Sequence, residues 1–127
     1  ERVARHIKQK NNYVVNTIGK DELYHLISCA NVLHCENPLK VENDWINDYD
    51  LKQGNYDITN VDKDIAEIIP SPIDMGAVYQ RLIRDTMSSK EDYVDGIIRV
   101  YNNEICDVID NYNCSAFYEP SYVIARA

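Results

Sequence analysis

The stretch SPIDMGAVYQRLIRDTMSSKEDYVDGIIRVYNNEICDVIDNY, residues 71–112, decides the fold. Ser71-Pro72-Ile73-Asp74 combines a serine N-cap, a proline at the first helical position and an acid at the third. All three favour a helix start, because they satisfy or replace backbone N–H groups that have no partner in the first turn. Met75, Val78, Tyr79, Leu82 and Ile83 then recur at steps of three and four, which predicts a helix to Thr86 or Met87. Ser89-Lys90-Glu91-Asp92 repeats the cap pattern and opens the longest predicted helix, to about Asn111. Its apolar positions Val94, Ile98, Tyr101, Ile105, Val108 and Tyr112 alternate steps of four and three, as a heptad seam does. Ile97 and Ile109 widen that seam, which suits a bundle core better than a two-stranded coil. A homodimer on the seam stays open as an alternative. Asp107 and Asp110 fall opposite it and are expected to face solvent.

On the N-terminal side, Glu1 to Gln9 reads as a helix, and Asn11 with Asn12 as its break. Tyr13 to Ile18 suits a short strand or a second helix, closed by Gly19. A helix from Asp21 to about His34 carries Leu23, Leu26, Ile27, Ala30 and Leu33 on one face, and Asn37-Pro38 ends it. Between Glu36 and Pro70, rich in Asn and Asp, short helices are expected over Asp44–Leu51 and Val61–Ile69. Near the C-terminal end, Pro120 separates Phe117-Tyr118 from a final apolar turn, Tyr122 to Ala125. Only four glycines leave little room for a β-sandwich or a glycine-rich phosphate loop. The fold class expected is therefore all-α: a compact bundle of about five to seven helices over residues 1–127. Helices 72–87 and 90–112 would be its central hairpin. A start on Glu1 rather than Met, and an end on Arg126-Ala127, leave room for a longer chain.

The 127 residues are 45% apolar, enough for one modest core without staples. Four cysteines are then not needed as a disulfide framework; free thiols and a cytoplasmic setting are expected. No apolar run approaches the roughly 18–20 residues that cross a bilayer, so no membrane partner is expected.

Charge is the least random feature. Lys and Arg number 13 against 21 Asp and Glu, a net −8. Residues 1–20 hold Arg2, Arg5, Lys8, Lys10 and Lys20 against Glu1 alone, so the remainder carries −12. Over 44–64, Asp44, Asp48, Asp50, Asp57, Asp62 and Asp64 face only Lys52 and Lys63, with Trp45, Tyr49 and Tyr56 interleaved. Clustered carboxylates repel one another unless a cation relieves them, and aromatics supply the buried anchors of interfaces. The expected function is a protein-binding module that occludes a basic surface of another protein. Acidic inhibitors, immunity-type proteins and nucleic-acid mimics are of this kind, and the target could itself bind nucleic acid. Asp44, Trp45, Asp48, Tyr49, Asp50, Tyr56 and Asp57 are the expected contacts. The alternative is a DNA-binding regulator of helix-turn-helix type built on the basic N-terminal segment. Its reading helix would open on Asp21-Glu22 and carry no Arg, which sets acids against phosphates, so direct nucleic-acid binding is not expected.

No cofactor, metal or enzymatic activity is expected. His25 and Cys29 share a helix face, but His25, Cys29, His34 and Cys35 match no usual zinc spacing. Asn60, Asp62 and Asp64 mimic three calcium-loop positions, yet Ile65 stands where the turn needs glycine. His6 beside Arg2 and Arg5 reads as the solvated face of a basic helix, and no nucleophile-elbow, zincin or phosphate-loop motif occurs.

Overall fold

The computed structural model describes residues 1–66, 68–114, 116–119 and 124. Among them the regular structure is all helical, with no strand and with eight α-helices rather than five to seven. They are α1 (Arg2–Ile7), α2 (Asn11–Ile18), α3 (Lys20–Ser28), α4 (Ala30–His34), α5 (Pro38–Asp48), α6 (Pro72–Thr86), α7 (Tyr93–Tyr101) and α8 (Ile105–Ile109). A 3-10 turn, Ala116–Tyr118, comes after them. The final turn expected over Tyr122–Ala125 lies outside the described residues except for Ile124, which is buried.

The higher count comes from helices cut where side chains capture backbone groups. α6 runs as its cap dictates: Ser71 Oγ accepts the Asp74 amide at 3.1 Å and Asp74 accepts the Ser71 amide at 3.4 Å. α7 starts later than Ser89 implied. Asp92 is its cap, accepting the Asp95 amide at 2.9 Å, while Tyr24 donates its hydroxyl to the same carboxylate. The predicted single helix 90–112 is broken at Asn102–Glu104. There Asn102 donates to the Ile98 carbonyl at 2.7 Å and exchanges amide bonds with Asn16, and Asn103 accepts the Ile105 amide at 2.9 Å. Such side-chain bonds compete with the helical ladder. The break rotates α8 relative to α7, so the heptad seam is not continuous: Val108 is 47% exposed and Ile109 is fully buried.

Three other boundaries differ from expectation. Helix 21–34 divides at Cys29, where the Ser28 hydroxyl bonds the His25 carbonyl at 2.6 Å. Asn37-Pro38 begins α5 as well as ending α4, because Asn37 accepts the Leu39 amide and Pro38 sits at the first helical position. The Asp44–Leu51 helix is thus the second half of α5, stopped at Asp48. The Val61–Ile69 helix is absent among its described residues (Glu67 lies outside them). Asn113 takes the Asp62 amide at 2.7 Å, the Asp62 carboxylate takes the Asp64 amide, and a single turn results. For Tyr13–Ile18 the helix is found, with Val14 and Ile18 buried four apart.

Two hydrophobic clusters meet at α7. Met75, Tyr79, Leu82 and Ile83 of α6 pack with Val100, Ile109, Tyr112 and Phe117. Val3, Ile7, Val14, Ile18 and Leu23 of α1–α3 pack with Leu51 and Val94. Val94 and Val100 lie about 120° apart around α7, and Ile97 touches both clusters. Close approach of α6 and α7 needs Gly96, where a Cβ would stand 2.7 Å from Ile83 Cγ2. Gly76, by contrast, has nothing within 4 Å of the Cβ it lacks.

The same substitution should therefore have opposite effects at these two sites. Gly76→Ala should stabilise by about 0.5–1 kcal/mol through helix propensity. Gly96→Ala gains the same propensity but overpacks Ile83, so it should fall below Gly76→Ala by about 1–3 kcal/mol. Urea denaturation of both variants checks it, and equal stabilities would mean that Gly96 is not a packing constraint.

Candidate functional site

The seven expected contact residues do not form one patch. Trp45 and Tyr49 turn inward from α5 and pack against the N-terminal cluster, and Tyr49 donates to Glu22 at 3.1 Å. Asp44, Asp48 and Asp50 stay exposed around them, Asp44 shared with Lys40 at 3.5 Å and Asp50 with Lys52 at 2.8 Å. Tyr56 and Asp57 lie elsewhere, in a cleft of about 300 Å³ between the 56–61 loop, Lys10 and α8 with the residues after it.

The cleft is assembled by backbone contacts. After α5 the chain returns along the end of α1, where the Gly54 amide donates to the Ile7 carbonyl at 2.7 Å and the Tyr56 amide to Lys8 at 2.9 Å. A Cβ on Gly54 would stand 2.5 Å from the Lys8 carbonyl oxygen, so only glycine permits this approach. Tyr56 is thereby set beside Lys10, whose ammonium lies 5.5 Å from its ring centre. Asp57 closes a turn by accepting the Thr59 amide and hydroxyl at 3.0 and 2.6 Å, and these bonds hold its carboxyl below the usual range. Asn113 clasps the loop from the opposite wall through the Asp62 amide.

Asp107 and Asp110 do not share the solvent-facing setting that the seam implies for both. Asp107 is exposed and 3.8 Å from Lys10. Asp110 is drawn inward by the helix break that buries Ile109, and it accepts the Tyr79 hydroxyl at 2.6 Å. Burial raises its carboxyl from 3.8 to about 6. Nearby Tyr79 and Tyr101 stack with ring centres 4.5 Å apart. Glu1 accepts two bonds from the buried Asn11 amide, at 3.0 and 3.1 Å, and one from the Tyr101 hydroxyl. Arg5 donates to the Tyr112 hydroxyl at 2.8 Å and lies over that ring, while its Nε is buried without a partner. Sequence reasoning missed this polar layer. Its one visible signal is the Asn102-Asn103 pair interrupting the seam.

Chemically, the cleft is rich in acceptors: among the described residues, three carboxylates, three asparagines and two tyrosines surround one cation, Lys10. It suits a donor-rich cationic head such as a guanidinium or ammonium group. The Cys106 thiol donates to the Val100 carbonyl, and burial pushes it up to about 12. Among the described residues no group of three His, Cys, Asp or Glu is placed to hold a metal ion. Cys29 Sγ lies 3.9 Å from His25 Nε2, and the side chain of His34 is outside the described set. All four cysteines are free thiols. No described helix is long and apolar enough to cross a membrane. No protein-family model, curated protein or solved structure matches the chain.

The raised carboxyl of Asp110 fixes the sign of a pH effect. The folded state keeps a proton that the unfolded chain has released, so this stabilisation is complete below about pH 4 and lost as pH rises through about 6. Asp110→Asn keeps an acceptor for Tyr79 and cannot ionise. It should equal the native protein near pH 4 and exceed it by up to about 3 kcal/mol at pH 7.5. Thermal melts of both proteins across that range check it, and a constant difference would refute the buried-carboxylate account.

Proposed function

We propose that the protein is a binding module that occludes a basic surface of another protein, as an acidic inhibitor, an immunity-type protein or a nucleic-acid mimic does. One observation carries this reading: the chain uses its own N-terminal cations internally and leaves its acids facing outward. Arg2 pairs with the buried Glu42 at 3.0 Å, Arg5 is bound by Tyr112, Lys10 faces Asp107 and Tyr56, and Lys20 pairs with Asp95 at 2.9 Å. Asp48, Asp57, Asp62 and Asp64 are exposed and, among the described residues, have no ion pair to a cation within 4 Å. In this reading the α6–α7 pair is the central hairpin of a bundle, and the loop after α5 carries the binding groups. Four free thiols fit a cytoplasmic setting.

The same observation weighs against the DNA-binding alternative. A phosphate-binding face needs free cations, yet four of the five in residues 1–20 are engaged, and α3 opens with Asp21 and Glu22. An enzymatic reading has less to stand on: the Cys106 thiol is buried, Asp110 is bonded to a tyrosine, and the Cys29 thiol, 3.9 Å from His25 Nε2, also lies against the Ser28 hydroxyl.

The test is affinity capture from the source lysate at low salt, comparing the native protein with a variant in which Asp44, Asp48, Asp50 and Asp57 are changed to Asn. A basic protein should be retained by the native chain and lost by the variant. Its association rate should fall about tenfold or more between about 50 and 500 mM salt, because steering by exposed charge is screened. Equal capture by both proteins, or a rate indifferent to salt, would sink the proposal.

A further inference from the structure

We infer that Ile65, Ile68, Ile69 and Ile73, together with the adjoining cleft, form a docking surface for a short basic segment with an aliphatic side, contributed by a partner protein. This rests on the binding-module reading and names the chemistry of the bound segment. Ile65, Ile68, Ile69 and Ile73 are 62, 57, 45 and 77% exposed. Single exposed aliphatics are ordinary, but four within nine residues are the kind of patch that marks an interaction site. They are not a core left unfilled. One step further on, the inward side of α6 is occupied by Met75, Val78 and Tyr79, all buried. Pro70, between Ile69 and the Ser71 cap, is buried as well, so the isoleucines flank a fixed point of the chain.

Charge decides the partner. Asp62 and Asp64 precede the isoleucines, Asp74 stands after them, and Lys63 is the one cation between Tyr56 and Gln80. The same loop forms a wall of the acceptor-lined cleft through Tyr56, Asp57, Ile58, Asn60 and Val61. Val61 and Ile65 are four residues apart, at most about 14 Å along the chain. A partner segment that carries aliphatic side chains together with Lys or Arg matches both the exposed isoleucines and the acids of this loop and its cleft. That is an apolar centre with a charged rim, the usual anatomy of an interface. A second copy of this chain is a poor occupant, since it would bring −8 of its own against the same acids.

The experiment uses a random 16-residue peptide library displayed on phage, panned on the native protein with counter-selection on an Ile68→Ser/Ile69→Ser/Ile73→Ser variant. The three side chains are exposed, so the variant should fold, and matching far-UV spectra and melting temperatures establish that it has. Enriched peptides should carry an excess of Lys and Arg, with aliphatic residues three or four apart. As synthetic peptides they should bind the isoleucine variant about tenfold or more weakly, and Asp57→Asn/Asp107→Asn likewise. Basic peptides that bind the isoleucine variant as tightly as the native protein would overturn the docking surface and leave the binding-module reading standing. Peptides that need the isoleucines but show no excess of cations would keep an apolar site and remove the basic partner. No enrichment over the variant overturns the surface. So does light scattering that gives a dimer for the native chain and a monomer for the isoleucine variant, because the occupant would then be a second copy.

Discussion

Helix α7 is buried from two sides, and the rest of the molecule depends on that constraint. A nine-residue helix has little surface to divide, yet Val94 faces the N-terminal helices, Val100 faces α6, and Ile97 serves both. Burial on two faces requires close neighbours, which Gly96 permits by letting Ile83 approach where a side chain would stand. It also requires a helix that stops before its phase drifts. Asn102 and Asn103 supply the stop, and the Asn102–Asn16 amide pair fastens it to α2. Past those asparagines the phase changes, and Ile109 is fully buried while Val108 of the expected seam is exposed.

The junction of the two clusters is shaped by the same constraint. Where α1 and α2 meet α6–α8, the seam is polar: Glu1 with Asn11 and Tyr101, Asp110 with Tyr79, Arg5 with Tyr112. Buried polar groups are costly when unpaired and close to neutral when paired. Most of these are paired, and Arg5 Nε is the exception. Glu1–Tyr101 and Arg5–Tyr112 join residues 100 and 107 positions apart in the chain, so they align the N-terminal helices on the C-terminal ones in a way that apolar contact, being non-directional, does not.

Legibility in the sequence depended on locality. The start of α6 could be read from Ser71, Pro72 and Asp74 because capping uses residues three apart, and its core face from the spacing of Met75 to Ile83. The first helix and the all-helical class were readable on the same grounds, whereas the residues of Tyr13–Ile18 suit a strand as well as a helix and the division at Cys29 was not readable. The break in the 90–112 helix was not, because part of what holds it is Asn16, 86 positions away. The failed Val61–Ile69 helix has the same cause, an amide captured by Asn113, 51 positions on. Asp110 was misplaced as a consequence, since its burial depends on the phase after the break. Trp45 and Tyr49 could be recognised as large aromatics beside acids, but which side of α5 they would take was settled by the N-terminal cluster. Tyr56 and Asp57 reached the cleft through Gly54, a residue whose role appears only once the loop lies against Lys8.

On the proposed function, the cleft would couple proton and cation in one linkage. Asp110 lines it with its carboxyl raised to about 6 by burial, while Asp57 and Asp107 line it as exposed carboxylates. A cation entering the cleft stabilises the charged form of Asp110, so cation and proton compete for one site. The burial that makes this carboxylate costly to the folded chain near neutral pH would, on the proposed function, also make it responsive to a cationic partner. Lys10 is the chain's own cation there, 3.8 Å from Asp107 and over the Tyr56 ring, and is exposed enough to be displaced. An incoming guanidinium offers five donors in a planar fork where an ammonium offers three. Asp57, Asp107 and the asparagine oxygens are acceptors spread around the space it would fill. Exchange of Lys10 for a partner's Arg would thus satisfy more acceptors with one cation, and the repulsion among the outward-facing acids would then favour binding.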